Sequence, residues 1–562
     1  MRFGFLLAAL AALAIAAAPS AASPNADRAA LRAALGTAAG ASAGRTATLP
    51  DSDGAGPPRV TASLARRGRP ARVLIGVRRA EDVSGVARAA ARFGRGVTTL
   101  DAIRVVAVSA RSPAALVAAL RRDRRVAFVE PNRRLKLAAD PGDSIDPDTG
   151  IPYTWAFNAV NAGAALAAAG GGSNRLVGLI DTGIDSGHPD LAGRVAGSED
   201  VRTRGSADDT NGHGTFVAGL IASVDGNAIG GKGVAGATRV FAVRVTSTGE
   251  ITLEDLVNGI LRSIRSGARV LNMSLAGGFS SSQGRALSIA YLQSVLPIAA
   301  AGNRGDDDNA IEFPAAAIGG RNGGRGIGLS VGAVRPDGQP APFSSHNQFV
   351  SVAAPGAQSS CEFGVFSTIP RNASQIFDAP GACPHTFSDG GGRWAYAQGT
   401  SFAAPIAAGI AALVWKVEPR LESDQVANVI VRSAHQTIPG SRWNEFTGSG
   451  VVDGGAAVTL ARTYDITAPA VHARKHRHGQ RLDVRLTRSR DRTAKGRELA
   501  GGVDYSLVES LRGSNRARFV VRPRRKPFRK RVRLSRRITR VSAVVCDRVG
   551  NCAVKRLAGR RR

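Results

Sequence analysis

VGLIDTGID, residues 177–185, runs a short apolar stretch straight into an acid and then a glycine turn. Val177 to Ile180 read as a strand buried on both faces, the kind found in parallel sheets. Asp181 stands where that strand ends. An ionised carboxylate at such a place is costly unless it is hydrogen-bonded or paired. Either it caps the turn made by Thr182 and Gly183, or it serves chemistry, and this stretch alone leaves both open.

Outward from that strand, residues 140–464 repeat the pattern. RLVGLID, RVFAVRV, ARVLNMSL, VLPIAAAGN, GIGLSVGAV and FVSVAAPG are apolar runs separated by glycine turns. Helical stretches such as LEDLVNGILRSIRSG lie between several of them. Alternating buried strands and helices predict an α/β domain, a doubly wound and mostly parallel sheet with helices on both faces.

A chain of 562 residues is too long for one core, and two to four domains are expected. MRFGFLLAALAALAIAAAPSAAS has one arginine, an apolar run and small residues near Ala22, which reads as a secretory signal over residues 1–22. A membrane anchor is the competing reading, but the run is short and alanine-rich, and no other span is expected. The four cysteines fall as two local pairs, Cys361 with Cys383 and Cys546 with Cys552. Neither pair has zinc-type spacing, and two disulfides are the expectation for an exported chain.

The net charge of +32 is uneven: residues 23–139 carry +14, residues 140–464 carry −6 and residues 465–562 carry +23. Residues 23–70 are rich in Ala, Gly, Pro and Ser and read as a flexible lead-in. In 71–139, ARVLIGV, AIRVVAVSA and RVAFVEP read as strands, DVSGVARAAARFG and SPAALVAALRRD as helices, which predicts a small α+β domain. Residues 465–562 switch to alternating strands, RLDVRL, VDYSLVE, ARFVVRP, KRVRLS and RVSAVVC, which predicts a β-sandwich.

Two further stretches bear on Asp181. NGHGTFVAGLIAS (211–223) puts His213 between glycines at the start of an apolar helix, and GTSFAAPIAAGIAALV (399–414) puts Ser401 at the start of another. A serine hydroxyl is a weak nucleophile until a base takes its proton, and histidine does that near neutral pH. A buried aspartate fixes the histidine tautomer and stabilises the imidazolium. A helix N-terminus at the serine exposes its side chain and aims a backbone N–H at a developing oxyanion. Each part alone also reads as a cap or turn; the three together, in the order Asp181, His213, Ser401, point to nucleophilic catalysis.

DTGIDSGHPDL, NGHGTFVAG, VLNMSLAGG, AAAGN and GTSFAAP resemble, in order and spacing, the motifs of the subtilisin-like serine peptidases over residues 140–464. The resemblance implies that Asp181, His213 and Ser401 form the catalytic triad and that Asn303 supplies an oxyanion-hole amide. Loss of one such donor costs ~10²–10³ in rate, a magnitude known within this same family rather than derived from this chain. The resemblance also implies that 271–278 offers a free strand edge to an extended peptide. Ser274, Leu275, Ala276 and Gly277, with Ala300, Ala301 and Gly302 opposite, would then wall the pocket for the side chain before the cut bond. No acid occurs in those stretches, so an apolar or broad preference is expected over a basic one. No cofactor is needed for the chemistry. A structural Ca²⁺ is expected between Asp190 and the SVDGNAIGG loop, with the Asn227 side-chain oxygen and the carbonyls of Asp225, Ile229 and Gly231; an ordinary turn is the alternative. Two departures touch the pocket and not the chemistry: Phe402 where the family usually has Met, and SLAGG for SLGG.

By the same resemblance, 71–139 is an inhibitory propeptide cut between Leu137 and Asp140, its positive charge complementing the negative peptidase domain. CDRVGNC resembles the end of bacterial Ig-like domains. The basic tail suits anionic cell-envelope polymer; Tyr505, Phe519 and Phe528 are too few aromatics for a nucleic-acid stacking platform. The sequons at Asn272 and Asn372 read as chance matches. The expected partners are protein or peptide substrates and the chain's own propeptide, in a secreted or surface-held enzyme. The competing class is a non-catalytic envelope-binding or adhesion protein on a peptidase scaffold.

Overall fold

A computed structural model describes residues 59–60, 70–132, 134–137 and 155–466, apart from residues 228, 357–363, 380–385 and 439–441, together with residue 471 and the strands between 473 and 559. The signal, most of the lead-in, the expected cut between Leu137 and Asp140, and the Cys361–Cys383 pair lie outside the described residues.

The described residues divide into two compact units, one within 132–462, the other within 59–131 and 463–559. The first holds a seven-stranded sheet. Its strands are β1 (Leu176–Asp181), β2 (Val195–Asp200), β3 (Arg239–Arg244), β4 (Val270–Met273), β5 (Leu296–Ala300), β6 (Leu329–Val334) and β7 (Val352–Pro355). They lie in the order β7-β6-β5-β4-β1-β3-β2, and every neighbouring pair is parallel. β4 to β7 are buried along their whole length, as expected of a sheet covered on both faces.

Five helices cover this sheet: α1 (His213–Ala222), α2 (Leu253–Arg265), α3 (Ser281–Leu292), α4 (Thr400–Val417) and α5 (Ser423–Ser433). α2 shows why these segments are helical. Thr252 Oγ1 accepts from Asp255 N (3.2 Å), acids fill the first turn and arginines the last, and Leu253, Leu256, Val257, Ile260 and Ile264 form one buried stripe. The stripe faces β1 so closely that a Cβ on Gly178 would lie 2.7 Å from Ser263 Cβ, and only glycine fits there. α4 is long and apolar enough to cross a membrane, but 89% of its window is buried in the domain, so its apolarity belongs to the core.

In the other unit, residues 71–77, 94–100, 105–110 and 126–131 form an antiparallel sheet, with 59–60 added in parallel at one edge. Helices 83–91 and 113–120 share its core through Val83, Val86, Leu116, Val117 and Leu120. The Ser112 hydroxyl caps the second helix by accepting from Ala115 N (3.3 Å). Beyond residue 472 lie two antiparallel sheets of three and four strands. Residues 541–545 are buried without alternation, and the register sets Cys546 opposite Cys552.

Candidate active site

β1, β4 and β5 are neighbours in the sheet, and the residues singled out from the sequence follow their carboxyl ends. Asp181 is the last residue of β1, 274–277 follow β4, and 301–303 follow β5. Open parallel sheets place their ligand sites at this edge. α1 opens on His213, and Ser401 is the second residue of α4.

His213 Nδ1 lies 2.7 Å from Asp181 Oδ1, and both side chains are at most 1% exposed. The same carboxylate oxygen accepts from Thr182 N (2.8 Å). This contact fixes the proton on Nδ1 and leaves Nε2 as the basic nitrogen, and Nε2 has no hydrogen-bond partner among the described residues. Phe402, directly after the serine, lies 5.4 Å from the His213 ring and 4.5 Å from Phe216, so its phenyl group backs the imidazole.

Asn303 is held in one orientation. Its Oδ1 accepts from Thr400 N (2.9 Å) and Thr400 Oγ1 (2.8 Å). A backbone N–H is a donor only, so the facing atom must be the oxygen, and the NH₂ group is left pointing elsewhere as a donor. The first N–H groups of a helix have no intrahelical partner; here Asn303 satisfies that of Thr400 and leaves that of Ser401 for a ligand.

Ser274 has a role the sequence reading did not give it. Pro405 has no N–H for the Ser401 carbonyl one turn back, and Ser274 Oγ supplies the missing donor (2.5 Å). Asn272 Nδ2 in turn donates to Ser274 Oγ (3.0 Å), and Ser401 Oγ donates to Ser274 O (3.3 Å). Asn272 is fully buried, so its sequon is closed to modification. Leu275, Ala276, Ala300 and Ala301 are buried, and Gly277 O accepts from Phe313 N (2.9 Å).

The edge at Leu275–Ala276 is not empty. Strand Arg134–Leu137 pairs antiparallel with it, Leu137 opposite Leu275, and pairs on its other side with Glu250–Thr252. The chain's own RLKL stretch thus forms the middle strand of a three-stranded sheet at this edge.

Asp209 was not singled out from the sequence. It is buried, and five donors converge on it: Asn211 N (3.1 Å), Gly212 N (2.9 Å), Thr215 N (2.8 Å), Thr215 Oγ1 (2.7 Å) and Thr182 Oγ1 (2.9 Å). Thr182 Oγ1 also accepts from Gly214 N (2.8 Å), so one carboxylate ties the end of β1 to the start of α1. An acid just ahead of an apolar helix is the capping signal that could have found it.

The expected calcium ligands Asp190, Asn227, Ile229 and Gly231 come together, but with nitrogen donors facing the acid. Asp190 accepts from Asn227 Nδ2 (2.9 Å), Trp394 Nε1 (3.0 Å) and Gly231 N (3.1 Å), while Asn227 Oδ1 accepts from Ile229 N (3.3 Å). Burial pushes the Asp190 carboxyl up, against these hydrogen bonds. Asp225 pairs instead with Lys232 (2.9 Å). Both oxygens of the buried Asp190 carboxyl thus accept from N–H groups. Among the described residues no group of three or more His, Cys, Asp or Glu side chains could hold a metal ion, and the expected calcium set, one acid with an amide oxygen and backbone carbonyls, is not of that kind.

Comparison with known proteins agrees with this geometry. The sequence model of the subtilase family matches residues 172–450. Subtilisin DY of Bacillus licheniformis is 35% identical over 267 residues, 47% of this chain and 84% of its own length. Thermitase of Thermoactinomyces vulgaris is 32% identical over 247 residues, 43% of this chain and 75% of its own. The crystal structure of fervidolysin from Fervidobacterium pennivorans, a keratinolytic enzyme related to subtilisin, covers 92% of this chain and 95% of its own at a TM-score of 0.57; at 18% identity it speaks to fold alone. The chain belongs to the subtilase family and is a serine endopeptidase.

Proposed function

We propose that this endopeptidase works through Asp181, His213 and Ser401, with Asn303 in the oxyanion hole, and that it matures by cutting its own chain. Ser401 Oγ turns from Ser274 O to His213 Nε2, attacks the scissile carbonyl carbon and gives its proton to Nε2. Asp181 stabilises the imidazolium. The tetrahedral oxygen accepts from Asn303 Nδ2 and Ser401 N–H. His213 then protonates the departing amine, and water, activated by the same nitrogen, hydrolyses the acyl-enzyme. The observation that carries this reading is the buried 2.7 Å His213–Asp181 contact with Nε2 left unpartnered.

Self-processing is supported by the antiparallel pairing of 134–137 with 275–276, the mode in which an extended substrate adds to a sheet edge. A tethered segment there has a high effective concentration, so it both blocks the cleft and is the first bond cut. Export rests on the apolar leader over residues 1–22, and the tail's +23 charge gives the mature enzyme a means of being held at anionic envelope polymer.

The test is Ser401→Ala, secreted from a protease-deficient host and weighed by mass spectrometry beside the wild type. The variant should accumulate as a precursor lacking only its leader, while the wild type yields a product beginning near residues 138–140. A variant cut at the same bond would refute self-processing. A wild type that fails to label with a fluorophosphonate would refute the assignment of Ser401.

A further inference from the structure

The pocket walls read from the sequence contain no acid, but the fold brings one to them. Glu312 lies ten or more residues beyond either wall in sequence and immediately before Phe313, whose N–H donates to Gly277 O (2.9 Å). That bond joins the Glu312 segment to the wall that follows β4. At the other wall, Gly302 has φ +115°, and a Cβ built on it would lie 1.7 Å from Glu312 Oε2. The carboxyl therefore occupies the space that any side chain at 302 would need. It stands against Gly302 at one wall, and its own chain neighbour Phe313 is bonded to Gly277 at the other.

This carboxyl is left incomplete. Oε2 is buried and has no hydrogen-bond partner among the described residues. Two charged groups bear on it. Arg304 attracts it, but that guanidinium donates to Asp307 (3.1 Å) and Asp308 (2.5 Å), and Asp308 repels it. A buried carboxyl without donors is costly, and it gains most from a cation that arrives with N–H groups.

We propose that Glu312 forms the base of the pocket for the residue before the cut bond, and that this pocket selects lysine or arginine there. The proposal rests on the endopeptidase reading and reverses the apolar preference expected from the wall sequences. Burial, above all, holds the empty Glu312 carboxyl up at about 7, partly offset by Arg304 and reinforced by Asp308. The sign of the pH effect follows. Below that value the carboxyl is neutral and offers a cation little; above it the anion pairs with lysine or arginine, which stay charged throughout.

The experiment measures kcat/KM of the mature enzyme on a tetrapeptide anilide series differing only in the last residue: Lys, Arg, Gln, Leu and Phe. The Lys/Leu ratio cancels any titration of the catalytic base, which both substrates share. It should exceed one at pH 8.5 and fall as pH drops from 8 to 6. In Glu312→Gln it should drop on the order of ten- to a hundredfold, the worth of one hydrogen-bonded charge, and lose its pH dependence. Arg should follow Lys, while Gln should follow Leu. A ratio at or below one that Glu312→Gln leaves unchanged overturns the proposal while the endopeptidase reading stands. Hydrolysis of no member overturns both. Should the variant not fold, the wild-type ratio decides alone: a rise with pH supports the pocket, and a flat profile refutes it.

Discussion

Replacing Asp209 with asparagine should damage this enzyme without touching any residue that meets substrate. The side chains are nearly isosteric, so the test changes charge and donor count alone. Of the five donors on Asp209, three sit on Oδ1 and two, both from Thr215, on Oδ2. Asparagine keeps one acceptor oxygen. The two Thr215 donors would then face an NH₂ group, and the other three bonds would fall from charge-assisted to neutral strength. Bonds to a charged group contribute about 1.5–3 kcal/mol and neutral ones about 0.5–1.5 kcal/mol, so allowing for relaxation the loss is about 3–5 kcal/mol. That lies at the upper end for single substitutions and corresponds to a fall of about 6–15 °C in melting temperature. His213 opens the helix this carboxylate holds, and its Nδ1 contact with Asp181 is only 2.7 Å long. A displacement of about 1 Å there costs up to about a hundredfold in rate, so kcat should fall tenfold or more with KM little changed. Calorimetry on enzyme inactivated at Ser401, at one scan rate, reads the first effect without self-digestion; burst-titrated kinetics read the second. A melting temperature within about 2 °C of wild type and kcat within twofold would refute the capping argument, since five lost or weakened buried bonds cannot cost so little.

Two further substitutions probe the oxyanion side and the nucleophile's neighbour. Thr400→Val removes the hydroxyl that donates to Asn303 Oδ1 and accepts from Gly302 N, so kcat should fall about tenfold with KM nearly unchanged, while Thr400→Ser stays near wild type; a loss in Thr400→Ser with Thr400→Val near wild type would mean the methyl group and not the hydroxyl matters. Phe402 is fully buried against Phe216, and Met273 is buried too, so activity should survive dilute peroxide better in the wild type than in Phe402→Met; equal loss would place the oxidation elsewhere.

What the sequence disclosed and what it hid divide along one physical line. Asp181, His213 and Ser401 were legible because each ends a strong local pattern: an apolar strand or an apolar helix. The strand at residues 94–100, GRGVTTL, was missed because it lies at a sheet edge with most side chains exposed, and so has no apolar alternation. Residues 386–389 and 392–397, TFSD and GRWAYA, escaped because they are short and the glycines at 390–392 break the run between them. Asp190 and Asn227 were paired from the sequence and meet at 2.9 Å, while an Asp/Asn/Gly loop turns either oxygens or N–H groups inward, and composition does not distinguish the two. Glu312 was hidden because the role proposed for it rests on its closeness to Gly302 and on the bond from Phe313 to Gly277, which no local pattern records.

The strand after β4 serves two masters, and this explains why the nucleophile is held as it is. Leu275 and Ala276 offer backbone to an extended peptide, while Ser274 holds the first turn of α4 through the carbonyl that Pro405 leaves without a donor. Pro405 therefore does more than interrupt a helix: it frees one acceptor, and that acceptor ties Ser401 to the segment that pairs with Arg134–Leu137. The tie fixes the backbone and not the hydroxyl. At 3.3 Å the Ser401 Oγ contact with Ser274 O is near the limit of a hydrogen bond and is easily given up, whereas the 2.5 Å bond on the Ser401 carbonyl is short and buried. In the mechanism proposed above, a rigid backbone keeps the Ser401 N–H in place while the loosely held hydroxyl turns toward Nε2. Catalysis by preorganised dipoles requires just this division, because donors that had to move with the nucleophile would lose their alignment as the oxyanion formed.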